Sequence, residues 1–252
     1  MQDFKAAYIN ELIKMRHKSK IIVGAVLSLV AAVVWQLALA VLGNVLPISL
    51  AGDGSLFSLS VLNFFSATLL PLFAVFVVID SFNGEIAANT MKQTLVRPLN
   101  RTGIYLSKAA AVATFVFCSL MFMMVSTTII GAVFQMGVSF TFIGAWRVLL
   151  AYVVTWMPVM VFLLLIMVIA QFSRNGILTF FLSVFIYLGL QAVRFFYPAL
   201  SNLLIVPLFD WYVGWIADVN NFGALLRQLS ILLGSGLALF GFGSRIFETR
   251  DY

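Results

Sequence analysis

Few side chains in these 252 residues could do chemistry. Asp80 and Glu85 are the one acidic pair at the inner edge of an apolar segment, five residues apart around Gly84. General acid–base catalysis needs two positioned groups with separated pKa values, and this spacing does not specify them. The single Cys118 lies in an apolar run, and the single His17 stands among Lys14, Arg16, Lys18 and Lys20. One thiol and one imidazole build neither a metal cluster nor a disulfide. A Gly-x-x-x-x-Gly-Lys-Ser/Thr phosphate loop is also missing from the sequence, so ATP hydrolysis by that route would have to come from another subunit. The expectation is a non-catalytic chain with no metal and no cofactor of its own.

The elements that would position such residues are set by composition. Hydrophobic residues make up 63% of the chain and charged ones 10%, against about a quarter charged in a soluble domain. A spanning helix needs about 20 consecutive apolar residues, and several segments reach that length. Net charge is +6, but the basic residues sit between apolar segments, as the positive-inside bias places them. That excludes nucleic-acid binding as their purpose.

Residues 1–20 place Phe4, Tyr8, Leu12 and Met15 at three- and four-residue steps, with Asp3, Lys5, Asn10, Glu11, Lys14 and Lys18 elsewhere on the wheel. This predicts an amphipathic helix on the membrane surface, its basic end against anionic lipid headgroups. Six spans follow, at about 21–43, 59–79, 109–134, 147–170, 177–197 and 223–243. Pro158 is expected to kink the fourth, a lesion that neighbouring helices can compensate. Pro198 and Pro207 bracket an apolar stretch too short to span by itself, so residues 198–222 predict a re-entrant or interfacial element. In it Trp211, Tyr212 and Trp215 would lie at headgroup level, with Asp210 and Asp218 facing water. Small residues at 109, 113, 234, 236, 238, 241 and 243 are expected to let helices approach closely.

Both termini are expected in the cytoplasm, which puts twelve of fifteen Lys and Arg residues inside. The expected fold class is therefore an all-α integral membrane protein, a single transmembrane domain of six helices in the inner membrane. The longest cytoplasmic connection, 80–108, is polar and basic. Ala87, Met91 and Leu95 share a helical face there, Pro98 disfavours helix at Arg97, and Asn100 or Thr102 is suited to cap the next helix. Asn100-Arg101-Thr102 matches a glycosylation acceptor on the wrong side of the membrane for that modification.

The order of residues in this loop resembles the ABC-2 type transporter permeases. The resemblance rests on Asp80 at the span end, Gly84-Glu85, Thr90, Leu95, Arg97-Pro98, Arg101 and Lys108. The six-span layout, the amphipathic first helix and the apolar element before the last span are similar to that family too. The resemblance implies the transmembrane subunit of an ATP-driven exporter, paired with a second permease copy or a paralogue. It also implies separate ATPase subunits on the cytoplasmic face, which would hold the Mg-ATP. It makes the loop, at about Asn83 to Val96, a coupling helix, with Asp80, Glu85, Thr90, Lys92, Arg97 and Arg101 in ATPase coupling. Glu85 is expected at the start of that short helix, where the dipole favours a carboxylate.

The substrate path is weakly marked, because the spans hold few ionisable residues. Phe73, Phe76, Phe117, Met121, Met124 and Phe180 suit a hydrophobic or amphipathic cargo, such as a peptide or an antimicrobial. The alternative is a stand-alone membrane carrier or assembly factor without ATP coupling. Carriers more commonly show internal repeats and broken helices, and in this reading only Pro158 interrupts a span.

Overall fold

The computed structural model describes residues 2–17, 20–45, 55–88, 100–134, 141–173, 175–197, 203–217 and 221–250, and among them there is no strand. Helix α1 (Gln2–His17) leads into α2 (Lys20–Val45), followed by α3 (Ser55–Ala67) and α4 (Leu69–Ala87). Then come α5 (Arg101–Phe134), α6 (Phe142–Phe172) and α7 (Gly176–Phe196). A 3-10 turn over Pro207–Asp210 and a short α8 (Tyr212–Ile216) precede α9 (Phe222–Thr249). Helices α4, α5, α6, α7 and α9 are each long and apolar enough to cross a bilayer, and α2 is apolar over Ile22–Ala38. With nearly all their backbone groups bonded inside the helix, such segments suit hydrocarbon, where water cannot satisfy them. The chain is thus a multi-pass, all-α membrane protein.

Helix α6 is the hub of the bundle and touches α3, α4, α5, α7, α8 and α9. Its buried face carries a polar knot. Tyr152 Oη lies 3.1 Å from Thr127 Oγ1 and donates to the Ser58 carbonyl at 3.1 Å, while Ser58 and Thr127 share a hydroxyl bond of 2.8 Å. All three residues are buried, so the knot ties α3, α5 and α6 in one register. The starts of α6 and α7 are set locally. The Thr141 hydroxyl accepts from the Gly144 amide, and the Asn175 side chain accepts from the Ile177 amide.

The second expected span, 59–79, is not one helix. It breaks at Thr68, between α3 and α4. The cause is Pro71, whose missing N–H leaves the Ala67 carbonyl without its helical donor and whose ring crowds that carbonyl. Thr68 turns back on the preceding helix, its hydroxyl donating to the Phe64 carbonyl at 2.5 Å. The orphaned Ala67 carbonyl is taken by the hydroxyl of Tyr187 on α7. The sequence reading placed the only interruption at Pro158; α6 instead runs on as helix through that proline.

Other expectations also shift. Helix α5 begins at Arg101 rather than near 109, directly after Asn100, whose carbonyl accepts from the Ile104 amide. At 1.5 Å per residue its 34 residues span about 50 Å, longer than the roughly 30 Å hydrocarbon layer. Trp211 and Tyr212 are buried by the chain itself rather than turned outward, and Asp210 pairs with Arg194. Asp218 and Pro198 lie outside the described residues. Of the small residues, Gly243 and Gly236 meet neighbouring side chains closely, whereas Gly234 and Gly241 face open space.

Candidate functional site

Among the described residues, four charged side chains from three helices meet at the start of the long basic connection. Lys14 of α1 bonds Glu11 at 2.9 Å and Glu85 of α4 at 2.7 Å. Lys108 of α5 bonds Glu85 at 2.9 Å and reaches Glu11 at 3.4 Å. The Lys108 side chain is wholly buried, and it also donates to the Ser81 carbonyl at 2.9 Å and lies 5.6 Å from the centre of the Phe82 ring. Among these four, two carboxylates face two ammoniums, which is how charges persist where desolvation is costly.

Each member is carried there by its helix. On α1, Ala7, Glu11 and Met15 recur at four-residue steps and form its buried stripe. Glu11 therefore belongs to the packed face, not to the solvated face assigned from the wheel. Tyr8, one turn before Leu12, shares a hydroxyl bond of 2.7 Å with Thr114 of α5 and fixes how α1 lies across that helix. Lys108 precedes three alanines on α5, and Ala109 and Ala111 among them are buried, so α1 and α4 can approach its stem. Lys14 is partly exposed: burial alone would lower its pKa, but the bonds and charges of Glu85 and Glu11 outweigh that and raise it above its ordinary value.

Glu85 sits in the last turn of α4, not at the start of a short helix. There the helix dipole disfavours a carboxylate, and the two lysines supply the compensation. Two residues earlier, the buried Asn83 donates to the Ser173 carbonyl at 2.6 Å, capping the end of α6. Asp80 is half-buried, and a Cβ at position 84 would stand 2.7 Å from its Oδ1. Gly84 is therefore the residue that leaves room for that carboxylate. Arg101 donates to the carbonyls of Glu248 and Arg250 at 2.9 and 2.7 Å, and Thr102 donates to the Glu248 carboxylate. The start of α5 thereby clamps the end of α9. Thr90, Lys92 and Arg97 lie outside the described residues, as does most of the expected coupling helix beyond Ala88.

The residues expected along a substrate path each pack against a neighbouring helix or the core. Phe76 and Phe180 stack between α4 and α7, with ring centres 4.6 Å apart. Phe73 faces Phe115, Phe117 meets the edge of Trp156, and Met121 and Met124 pack on the core. Sequence reasoning passed over Glu11, Lys14, Pro71 and Tyr187. The signal for Glu11 was its place in the Ala7–Met15 stripe, and for Pro71 its position inside an apolar run.

Chemically the cluster can hold three helices together and let them move together. Among the described residues no group of His, Cys, Asp and Glu side chains is placed to hold a metal ion. No curated protein gives a significant match to the chain. A family model described as an ABC-2 family transporter protein matches residues 9–189. That match runs from the helix carrying Glu11 and Lys14, through Glu85 and Lys108, into α7, and the chain belongs to the ABC-2 transporter family.

Proposed function

We propose that this chain is the non-catalytic permease subunit of an ATP-driven exporter in the cell membrane. It would have six spans, with both termini in the cytoplasm. Separate ATPase subunits would dock on the cytoplasmic face and hold the Mg-ATP, and a second permease copy or a paralogue would complete the transport path. The cargo would be hydrophobic or amphipathic, a peptide or an antimicrobial being the preferred class. Residues 198–222 would form a re-entrant or interfacial element on the outer side.

One observation carries the reading. The connection 88–100 leaves from the end of α4 and returns at the start of α5, and both ends are joined to α1 by Glu85 and Lys108. A push on that connection would move three helices as one body, not bend a loose loop. Asp80, Glu85 and Arg101 would then act by holding this body together, and Thr90, Lys92 and Arg97 by meeting the ATPase. Coupling of this kind needs only different contacts in two conformations.

The test is co-purification. Tagged chain from its native membrane should bring down an ATPase, and Lys92→Glu combined with Arg97→Glu should abolish that association while leaving the chain folded. Recovery of the chain without any ATPase, with transport intact, would overturn the reading in favour of a stand-alone carrier.

A further inference from the structure

A cavity of about 600 Å³ opens where α1, α2 and α5 meet, within the roughly 300–1,000 Å³ of small-molecule sites. Its lining is almost wholly apolar. Ile9 and Ile13 of α1, which are exposed, line it together with Ala25 of α2, and with Cys118 and Phe122 of α5. An apolar space of this size is unfavourable when filled with water.

The single charged side chain lining it is Arg16, which is exposed. Among the described residues no acid pairs with Arg16, because Glu11 and Glu85 are engaged by Lys14 and Lys108. The chain from Arg16 to Lys20 is basic throughout its charged positions. An apolar slot with an unneutralised guanidinium at its edge matches a molecule with a hydrocarbon tail and an anionic head. A guanidinium takes a phosphate with two parallel hydrogen bonds. From Thr114 to Phe122 the α5 wall rises about 12 Å along the helix, which suits a chain lying parallel to α5.

We propose that this cavity is a binding site for one anionic phospholipid of the surrounding bilayer, with an acyl chain between α1 and α5 and its phosphate on Arg16. The lipid would wedge α1 against the helix that carries Lys108, so occupancy would set how firmly α1 is seated. The site is independent of whether an ATPase partner exists.

The experiment uses the full chain in nanodiscs of equal phosphatidylglycerol and phosphatidylcholine, with retained lipid read by native mass spectrometry. Wild type should keep one phosphatidylglycerol in preference to phosphatidylcholine. Arg16→Gln should weaken that preference roughly fivefold, the factor for one basic side chain at an anionic surface. Arg227→Gln, an exposed arginine on α9, should leave it unchanged. Ile13→Trp, which fills the slot, should displace the lipid whatever its headgroup. Equal retention of the two lipids by wild type, or no effect of Arg16→Gln, would overturn the proposal. So would spontaneous Cys118–Cys118 cross-linking between copies, because a second copy would then cover this face.

Discussion

The hydroxyl of Tyr187 donates to the carbonyl of Ala67, the backbone group that Pro71 leaves without a helical donor. The bond joins α7 to the break in the second span. Phe162 and Phe209 pack around the tyrosine ring with centres 5.8 and 6.3 Å away. Tyr187→Phe should therefore cost about 1–2 kcal/mol, the penalty for a buried carbonyl left unpaired, measured by thermal unfolding in detergent. In a Pro71→Ala background, where the helix can supply its own donor, the same change should cost little. Equal losses in the two backgrounds would remove the tyrosine from any role at the break.

Lys108→Met should be the most damaging single change in the ionic cluster, because it removes the wholly buried ammonium that both Glu11 and Glu85 face. Breaking a buried pair by removing one partner costs about 3–5 kcal/mol. Adding Glu85→Gln to Lys108→Met should recover part of that loss. An additive loss in the double variant would mean that the two charges do not act as a pair.

The pH response follows from Lys14. Its pKa is raised above the ordinary 10.5 by Glu85 and Glu11, so the folded state holds its proton more tightly than the unfolded chain does. Its contribution is full below the ordinary lysine range and is lost as pH rises through the raised value. The protection factors of α1, which remove the intrinsic rise of amide exchange with pH, should hold through neutral pH and fall only in that alkaline range. Lys14→Met should lack this alkaline step.

Gly243 on α9 lies against the hydroxyl and ring of Tyr105, with Val168 3.1 Å from where a Cβ would be. Gly243→Ala should push α9 off α5 and cost about 1–3 kcal/mol, as overpacking does. Gly234→Ala, with nothing within 4 Å, should be neutral or stabilising by up to about 1 kcal/mol through helix propensity. Detergent melting curves of the two variants separate a packing glycine from a tolerated one. Equal melting temperatures would count against a close contact at Gly243.

Membrane embedding and the helical class were legible before any coordinates, because both follow from the length and composition of segments, which are local properties. The order Asp80, Gly84-Glu85, Arg97-Pro98, Arg101 was enough to point to the family that the residue 9–189 match shows. Ionic pairing was not legible in this way. Glu11 and Glu85 are 74 positions apart, and nothing in either neighbourhood says that Lys108 will lie between them. Helix packing decided it, by crossing α1 over α5 at Tyr8 and Thr114 and bringing the end of α4 alongside.

The chain's own chemistry thus determined its solvent, its helices and the basic connection between α4 and α5, since hydrophobic length and charge placement act residue by residue. The tertiary structure alone decided which charges neutralise one another, which proline breaks a span and which tyrosine satisfies the broken carbonyl. Those outcomes depend on groups far apart in sequence meeting where no water can take their place.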